Sequence, residues 1–399
     1  MVFKPAFGRD SVRFFRNPYK AYDRQREKSP VQRIENGLGM MPAWLITGYA
    51  EARAAFAHPG ISKDIRRFQF IFHDAKVPNT IDESVANSMV GTDPPDHTRL
   101  RKLAVKAFTS GAIEHLHPRV EQVTNDLLDA MEPLGHADLI RAFAGPLPIM
   151  IICDLLGIPE SGRHHLRQWS NASFSEGSHQ MRDEATGGLN EYLADLIKAR
   201  RAEPADDLIS RLIAARDDTD KFSDSELLSL VHVLLLTGHE TTTVLISNAV
   251  CALLLHPDQL DALRQEPSLL PNAIEELLRY ESPAAIATTR FTSEPVTING
   301  TTIPENQIVL ISPGAANHDP ARFADPARLD IRRDASGHLA FGHGIHHCLG
   351  TQLARMETEI AVTALLKRFP QLSLDTRPRK LEWRRSRPIR GLRSLPVRW

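Results

Sequence analysis

One ten-residue segment, 341–350, constrains this chain more than any other part of it. It reads Phe-Gly-His-Gly-Ile-His-His-Cys-Leu-Gly, and a strong helix-forming run starts directly after it at Thr351. A thiol at the start of a helix meets unpaired backbone N–H groups and the positive end of the helix dipole, which favour the thiolate of Cys348. Three glycines leave out side chains where a backbone would pass close beneath a flat ligand: Gly342, Gly344 and Gly350. The segment therefore predicts a thiolate on a loop that suits a flat ligand.

A long helix with a polar centre is the second strong feature. Ser223 and Glu226 form a capping box at its start, and His256, which precedes a proline, ends it. At 1.5 Å per residue such a helix is roughly 50 Å long, enough to cross a domain. Its centre, 237–243, reads Thr-Gly-His-Glu-Thr-Thr-Thr, which suits a buried helix poorly unless a cavity or ligand lies beside it.

Three interpretations of this polar centre are open from the residues alone. It can be a polar patch that faces solvent, or a helix–helix contact made close by Gly238. Alternatively, the hydroxyl of Thr241 bonds back to the carbonyl of Thr237, which bends the helix and opens a groove.

Composition and charge exclude several classes of protein. The 399 residues are 42% hydrophobic and 24% charged, as in a globular protein with a large core. A net charge of −1 implies no bulk attraction to nucleic acid or to an anionic membrane. The three cysteines are far apart and odd in number, which suits a reduced cytosol. The N-terminus has no signal-peptide pattern and the longest apolar run, 227–236, is too short to span a bilayer, so we expect a cytoplasmic protein with no membrane span.

The order of sequence patterns predicts a mainly α protein. Runs at 31–34 and 43–47 flank a turn-prone segment and predict a hairpin. The region from about 94 to 285 is mostly helical in pattern, whereas 288–304 alternates as strands do. Further extended segments follow near the C-terminus, at 381–384, 389–392 and 395–397.

These motifs together resemble the cytochrome P-450 family of soluble bacterial haem-thiolate monooxygenases. The segment from Phe341 fills every fixed position of that family's Phe-Gly-x-Gly-x-His-x-Cys-Leu-Gly haem loop. The centre of the long helix matches the Ala-Gly-x-(Asp/Glu)-Thr oxygen-activation motif, except that Thr237 replaces the usual alanine. The resemblance implies one domain over 1–399 with the P-450 fold, a helix-rich triangular prism with small peripheral β-sheets. Its parts would be a β-containing region at about 1–60, a helical core at about 94–285, and the haem loop with the C-terminal strands at 288–399.

The resemblance also implies a cofactor and the residues that serve it. The cofactor is haem b, with Cys348 as axial ligand to the iron. Glu240 relays protons and Thr241 positions oxygen and a water in the distal pocket. A buried pair, Glu276 with Arg279, braces the loop before the cysteine; from spacing alone it is an ordinary surface pair at i and i+3. The haem propionates are bound by four cationic side chains: His97, Arg101, Arg290 and His346. Arg99 or Lys102 replaces Arg101 if the helical register differs.

Substrate contacts and reaction follow from the same resemblance. The positions that align with pocket walls are Met89, Val90, Val233, Leu236, Thr237, Ile286, Thr288 and Ile389. Because these are mostly aliphatic, we expect a bulky apolar small molecule, of the kind that actinomycete enzymes tailor among macrolides and polyketides. One oxygen atom of O₂ enters a C–H bond or a double bond. Terpenoids, steroids and fatty acids are the alternative substrates.

The expected partners are ferredoxin and ferredoxin reductase, with NAD(P)H as the source of electrons and the protein as a monomer. Lys102, Lys106 and Arg355 would form a cationic patch for the acidic donor. Rival interpretations are a peroxide-using haem-thiolate enzyme, a non-enzymatic haem carrier or sensor, and a zinc site built from the histidines beside Cys348. The arginines at 384–398 could form a basic tail for nucleic acid, although solvated strand edges explain them more simply.

Overall fold

The structure, a computed structural model, describes residues 12–35, 41–74, 83–173, 179–216 and 220–399. The helices are, in chain order, α1 Val12–Arg16, α2 Tyr19–Arg26, α3 Tyr49–Ala57, α4 Gln69–Asp74, α5 Glu83–Ala86, α6 Asp96–Ala107, α7 Ser110–Glu114, α8 His117–Met131, α9 Pro146–Leu156, α10 Glu160–Ser173, α11 His179–Ala202, α12 Leu208–Ala214, α13 Asp224–Leu255, α14 Pro257–Gln265, α15 Leu270–Tyr280, α16 Pro313–Ala316 and α17 Thr351–Arg368. The strands are β1 Val31–Ile34, β2 Ala43–Ile46, β3 Ile61–Ser62, β4 His136–Asp138, β5 Arg290–Thr292, β6 Val296–Ile298, β7 Thr301–Ile303, β8 Ile308–Ile311, β9 Ser373–Leu374 and β10 Pro396–Arg398. The mainly α class with small sheets is confirmed.

The largest sheet has five short strands in the order β1-β2-β8-β5-β3. The predicted hairpin forms with Val31 opposite Ile46, while β2 pairs in parallel with β8. Helix α3 covers this sheet, and Phe56 packs into the core beside Ile311. The turn of the hairpin, 36–40, lies outside the described residues. Smaller sheets pair β4-β10-β9 and β6-β7.

The chain groups into two compact units. The first consists of Met1–Asn79, Asn125–Ala144 and Thr241–Trp399, and it contains the strands given above. The second consists of Thr80–Thr124 and Gly145–Glu240, and its described part is helical. Helix α13 contributes its first half to the second unit and its second half to the first. The single domain over 1–399 stays a prediction.

Helix α13 starts where the capping box places it. The Ser223 N–H donates to Glu226 Oε2 at 2.8 Å, and the Glu226 N–H donates to Ser223 Oγ at 3.3 Å. The helix ends directly before His256, whose following proline occupies the first turn of α14. Both predicted ends are therefore confirmed.

By length and composition, α13 is also the one helix in the described part of the chain that could cross a membrane. Its most apolar 18 residues have a mean hydropathy of 1.2, but 72% of that window is buried inside the protein. The apolar run 227–236 is too short to span a bilayer, whereas the helix that contains it is long enough. Burial, rather than length, gives α13 the character of a core helix.

Two sequence expectations differ from the structure. The segment 381–384 forms only an isolated bridge, Trp383 to Leu392, because its pairing is limited to the hydrogen bonds from Arg384 to the Gly391 carbonyl and from Arg393 to the Glu382 carbonyl. Strand β4 lies within the region predicted to be helical, and it forms because β10 returns from the C-terminus to pair with it. A partner this distant along the chain leaves no periodic signal near residue 136.

Candidate functional site

The cysteine loop is fixed by its own backbone. Gly342 and Gly344 have φ of 73° and 76°, a left-handed conformation that other residues rarely adopt. The Cys348 N–H donates to the Phe341 carbonyl at 3.0 Å, and the Thr351 hydroxyl donates to the Cys348 carbonyl at 2.8 Å. Cys348 is exposed and forms no disulfide. The loop thus delivers an accessible thiol three residues before the first residue of α17.

Gly350 differs from the other two glycines of the loop. Its φ is −84°, and beyond its chain neighbours a Cβ added there would meet no atom of the described residues within 4 Å. The surrounding protein therefore does not demand glycine at this position. At Gly344, by contrast, an added Cβ would lie 3.0 Å from the Phe56 carbonyl oxygen, so both sterics and φ require glycine.

Phe56 joins the loop to a buried cation. The guanidinium carbon of Arg290 lies 5.0 Å from the centre of the Phe56 ring, and Arg290 is only 3% exposed. The Gly344 backbone packs on the main chain of the same phenylalanine. Strand β5, which carries Arg290, and the loop before α17 are therefore neighbours through α3. His346 ends a 3-10 turn, Gly344–His346, in this loop and is half-buried.

A buried hydrogen-bond network supports the loop from behind. Arg279 and Glu276 on α15 are both 0% exposed and bond bidentately, at 2.6 and 2.8 Å. Arg279 Nη1 donates to the Asn317 carbonyl at 2.9 Å, and Asn317 Oδ1 accepts from the Leu339 N–H at 2.7 Å. The Leu339 carbonyl in turn accepts from Gly342 at 2.9 Å. The Glu-x-x-Arg pair is therefore buried and linked to the cysteine loop, rather than an ordinary surface pair.

A second carboxylate on α15, Glu275, was missed by sequence reasoning. Arg355 of α17 binds it bidentately at 2.6 and 2.7 Å, and His338 Nε2 lies 3.1 Å from Glu275 Oε2. Burial by itself raises the pKa of Glu275, but the hydrogen bonds from His338 and Arg355 outweigh it and lower that pKa to about 2. Arg355 also lies over the Phe341 ring at 4.9 Å. The simple cationic patch is thus wrong for Arg355, since its charge is neutralised by Glu275.

The polar centre of α13 is largely buried. Glu240 is 7% exposed, Thr241 is half-buried and Thr237 is exposed. The Thr237 hydroxyl donates to the Val233 carbonyl at 2.7 Å, which is the back-bond expected of a helical threonine, one turn earlier than the predicted Thr241 bond. His239 Nδ1 lies 2.7 Å from the Leu235 carbonyl, and burial lowers the pKa of His239. The bond from Thr241 to Thr237 stays a prediction.

The helix–helix interpretation is correct for Gly238. A Cβ added there would lie 3.2 Å from Ile152 Cδ1 of α9, within the second unit. Glycine therefore allows α9 and α13 to approach closely at the residue directly before His239.

The second unit carries His97 and Arg101 on α6. His97 is 2% exposed and Arg101 is half-buried, four residues apart on one helical face. Arg99, the alternative register, is paired with Glu226 and lies 3.3 Å from Asp220. Those carboxylates hold Arg99 at the first turn of α13, which leaves Arg101 as the better candidate. That His97 and Arg101 meet the same ligand as Cys348 stays a prediction.

The candidate substrate contacts fall on four segments, at 89–90, 233–237, 286–288 and 389. Ile286 and Ile389 are brought together in the first unit, where Ala284 bridges to Ile389 and the Ala285 N–H donates to the Pro388 carbonyl at 2.9 Å. Thr288 is exposed and lies shortly before β5. In the second unit, the candidates are a buried or half-buried set: Met89, Val90, Val233 and Leu236.

The remaining cysteines are core residues, and the zinc interpretation finds no support. Cys153 and Cys251 are buried, and burial raises the pKa of each thiol to about 12, as expected of core cysteines. Among the residues that the structure describes, no group of three or more His, Cys, Asp or Glu side chains is arranged to hold a metal ion. The histidines beside Cys348 therefore do not form a zinc cluster with it there.

Comparison with known proteins identifies the family. The Cytochrome P450 family model matches residues 164–389, more than half of the chain. Cytochrome P450 107B1 of Saccharopolyspora erythraea is 47% identical, covering 100% of this chain and 97% of the relative. The cytochrome P450 monooxygenase PikC of Streptomyces venezuelae is 46% identical over 99% of this chain and 93% of its own length. The 6-deoxyerythronolide B hydroxylase of Saccharopolyspora erythraea is 44% identical, covering 95% of each chain.

Solved structures agree with these relatives. The Bacillus subtilis polyketide-synthase cytochrome P450 PksS superposes with a TM-score of 0.91 at 39% identity, covering 100% of this chain and 99% of that one. The tirandamycin C-bound P450 monooxygenase TamI gives 0.89 at 43% identity, covering 98% and 99%. The predicted P-450 fold is confirmed. The chain belongs to the cytochrome P450 family, whose members bind a haem through a cysteine thiolate, and it is a monooxygenase.

Proposed function

We propose that this protein inserts one oxygen atom of O₂ into a C–H bond, or a double bond, of a bulky apolar polyketide or macrolide. The observation that carries the proposal is the accessible thiol of Cys348, held at the start of α17 by the Phe341 carbonyl and by two left-handed glycines. Such a position favours the thiolate, which is the form that binds iron.

The residues of the first unit fit haem b. Cys348 would bind the iron through its thiolate, and Arg290 would offer a buried guanidinium beside the same loop to a propionate. His346 would be a further propionate contact from within the loop, and His97 and Arg101 would add two more from α6. When bound, the haem supplies the activation of O₂ and the oxidation of the substrate, and a thiolate ligand favours cleavage of the O–O bond.

The side chains of α13 would control the protons. We assign the relay to the Glu240 carboxylate and the positioning of a water to Thr241 Oγ1. His239, directly before Glu240, is unsuited to proton relay, because its ring bonds the Leu235 carbonyl and burial lowers its pKa, so that it is neutral at pH 7. The acid–alcohol pair favours O₂ over peroxide as oxidant, since a peroxide-using enzyme or a haem carrier has no need of it.

Electrons would come from a ferredoxin, reduced by a ferredoxin reductase with NAD(P)H. The first unit exposes Ile345, at 51%, and His347 on the cysteine loop, and Arg53 Nε donates to His343 Nε2 at 3.3 Å on the same surface. An apolar contact bordered by basic groups suits a small acidic protein.

The substrate class is supported by the relatives and by the pocket candidates. Relatives of 44% and 39% identity are named for 6-deoxyerythronolide B hydroxylation and for polyketide synthesis. The aliphatic candidates, chiefly Ile286 and Ile389, fit a large apolar molecule. The test compares 6-deoxyerythronolide B, vitamin D₃ and myristic acid, each scored by the shift it causes in the haem absorption spectrum and by product analysis. A preference for myristic acid over the macrolide precursor would contradict the proposed class.

The iron ligand is tested independently of any substrate. Reduced, CO-treated protein should show the thiolate-haem absorption band, and Cys348→Ala should lose it, whereas Cys251→Ala, a buried cysteine elsewhere, should keep it. Absence of that band in the wild-type protein would contradict the proposal. Product formed with peroxide but not with ferredoxin, reductase and NADPH would favour the peroxide enzyme instead, and no product under either condition would favour the carrier.

The proton role has its own test. Thr241→Ala should bind haem and substrate normally but consume NADPH with product yield lowered about tenfold or more, because proton delivery typically contributes a factor of that size or larger. Thr242→Ala, the buried neighbour, is the matched control. Wild-type coupling in Thr241→Ala would refute the relay.

A further inference from the structure

The turn 388–391, which carries the candidate substrate contact Ile389, is attached to the segment that follows α15. The Ala285 N–H donates to the Pro388 carbonyl at 2.9 Å, and the Arg390 N–H donates to the Pro283 carbonyl at 2.9 Å. The two segments therefore run as a short antiparallel ladder, with Ala284 opposite Ile389. Side chains alternate along such a ladder, so Ile389 and Arg390 point to opposite sides of it.

The side chain of Arg390 secures the far side of this turn. Its guanidinium binds Glu281 at 2.5 and 3.1 Å and also donates to the carbonyls of Phe15 and Arg16, at 2.9 and 3.2 Å. It lies 3.8 Å from the Trp383 ring centre and is 6% exposed as a residue. These hydrogen bonds and the ring contact hold the buried guanidinium of Arg390 in a single position.

Glu281 is itself held in place from a second direction. The Tyr19 hydroxyl donates to Glu281 Oε2 at 2.9 Å, and the Tyr19 ring stacks on His318 with ring centres 3.6 Å apart. Arg390 also lies over the Tyr19 ring, 5.1 Å from its centre. The cluster therefore joins α2, the end of α15 and the turn.

The backbone of the turn, at Arg390 and Gly391, contacts α13. Asn248 Nδ2 donates to the Arg390 carbonyl at 2.8 Å, and a Cβ added at Gly391 would lie 2.9 Å from Val244 Cγ2. With 100° per residue, Val244 and Asn248 lie within about 60° and 20° of Thr241 around the helix. The turn is therefore seated on the face of α13 that carries Thr241, one to two helical turns further along.

We propose that the Arg390–Glu281 pair and Gly391 are positioning residues, which set how closely the Ile389 turn approaches the Thr241 face of α13 and thereby determine substrate selectivity. This rests on the proposed function, because it takes Ile389 as a wall of the substrate pocket. None of these residues touches the substrate or the haem in this role. Gly391 sets the distance by sterics, and Arg390 holds the turn at that distance.

The deciding experiment uses a steric double mutant. In Gly391→Ala, the new methyl group meets Val244, whose β-branched side chain has little freedom in a helix, so the turn must move away. Val244→Ala removes the two methyl groups that clash and should allow the turn to return. Gly111→Ala is the matched control, because a Cβ there meets no atom within 4 Å in the described part of the chain, its own helix backbone apart.

Two iron-binding probes distinguish an effect on the pocket wall from an effect on the haem iron. Imidazole is small and reports the iron alone, whereas 4-phenylimidazole also fills the space toward the wall. We expect Gly391→Ala to bind imidazole within about twofold of wild type and 4-phenylimidazole about tenfold more weakly, the size of effect that one methyl group has in an apolar pocket. Adding Val244→Ala should restore the affinity for 4-phenylimidazole.

Unchanged binding of 4-phenylimidazole in Gly391→Ala would overturn the proposal, as would an equal loss for both probes or a loss that Val244→Ala does not rescue. Arg390→Lys gives independent support if it shows the same selective loss, since lysine cannot bind Glu281 and two carbonyls together. If that variant does not fold, the glycine pair decides alone. Failure of wild-type protein to bind imidazole at a thiolate-ligated haem would instead contradict the proposed function.

Discussion

Two buried ion pairs involve α15 or the residue directly after it, and they differ in how they arise. Glu276 and Arg279 are three residues apart on α15 and hold the backbone that leads to the cysteine loop. Glu281, at the end of α15, pairs with Arg390, 109 residues away, and holds the turn of Ile389. Both arginines also donate to main-chain carbonyls, Arg279 to that of Asn317 directly after α16 and Arg390 to those of the last two residues of α1. The end of α15 thus supports the backbone before the cysteine loop through a local pair, and the turn that carries the candidate substrate contact Ile389 through a distant one.

The difference in burial between the two pairs predicts a difference in the cost of losing them. The first is 0% exposed at both side chains, whereas the second is 5% and 13% exposed. Removal of one partner of a fully buried pair leaves a buried charge with less compensation, which is more costly than the pair itself is stabilising. We therefore expect the first pair to decide folding and the second to decide selectivity.

The largest effect is expected from Arg279→Ala. It leaves the buried Glu276 carboxylate with Arg333, whose Nε donates to Glu276 Oε1 at 3.1 Å, and it removes the donor to the carbonyls of Asn317 and Pro326. The free energy of unfolding should therefore fall by about 3–5 kcal/mol, and little haem-bound protein should be recovered. Denaturant unfolding followed by circular dichroism measures the loss. Arg264→Ala, which breaks an exposed pair at the same spacing with Asp261, is the control and should cost under about 1 kcal/mol. Similar losses in the two variants would remove the distinction.

Glu281→Gln should have a smaller effect on stability. Glutamine keeps one acceptor for Arg390 or Tyr19 but loses the charge, so we expect a cost of about 1–3 kcal/mol with the thiolate-haem band retained. The measurement is the same unfolding curve together with the CO spectrum. A variant that loses haem as completely as Arg279→Ala would contradict the separate roles of the two pairs.

Two further carboxylates, Glu275 near the cysteine loop and Glu357 on α17, should respond to pH with opposite sign. The folded-state pKa of Glu275 is lowered to about 2, so its stabilisation is present above the unfolded pKa and is lost as pH falls toward 2. Burial raises the pKa of Glu357 well above its usual value, and in the described part of the chain its Oε2 accepts no hydrogen bond. The folded state therefore keeps Glu357 protonated, and stability that is present at low pH is lost as pH rises and the unfolded chain ionises.

The corresponding glutamine variants separate the two cases. At pH 7, Glu275→Gln should be less stable than wild type by about 1–3 kcal/mol, and Glu357→Gln should be more stable by about 1–2 kcal/mol. Both differences in stability from wild type should shrink as pH is lowered. That of Glu357→Gln should vanish by about pH 4, and that of Glu275→Gln only near pH 2 to 3. Unfolding by guanidinium chloride at several pH values is the measurement, and a Glu357→Gln variant less stable at pH 7 would contradict the assigned sign.

The smallest effect is expected at Thr237, where this chain departs from the family motif. Its hydroxyl already donates within the helix, so Thr237→Val should change the free energy of unfolding by less than about 1 kcal/mol. Because the proton of the hydroxyl is used within the helix, any change in the binding of 4-phenylimidazole in Thr237→Val should come from loss of the hydroxyl oxygen as an acceptor. A loss of stability comparable to that of Glu281→Gln would show that Thr237 has a structural role.

Features of the fold that depend on neighbouring residues were predictable from the sequence, whereas contacts between distant residues were not. The ends of α13 follow from the capping box and from His256-Pro257, and the buried Glu276–Arg279 pair follows from spacing with the family motif. The pairing of Arg355 with Glu275 and the Asn317–Leu339 link were missed. No periodicity relates α15 to α17, so only their packing brings these side chains together.

Local sequence was enough to predict the glycine-rich loop before α17, the two ends of the long helix and the helical class, because glycine conformations, caps and periodicity act within a few residues. The roles of Glu240 and Thr241 come from the family resemblance and stay predictions. Packing was needed to pair Arg355 with Glu275, to bring Gly238 against α9, and to carry Arg390 to Glu281 and the carbonyls of α1. These contacts join residues up to 375 positions apart, as between Arg390 and Phe15. Burial and partner choice over such distances depend on the packed core, which no local pattern specifies.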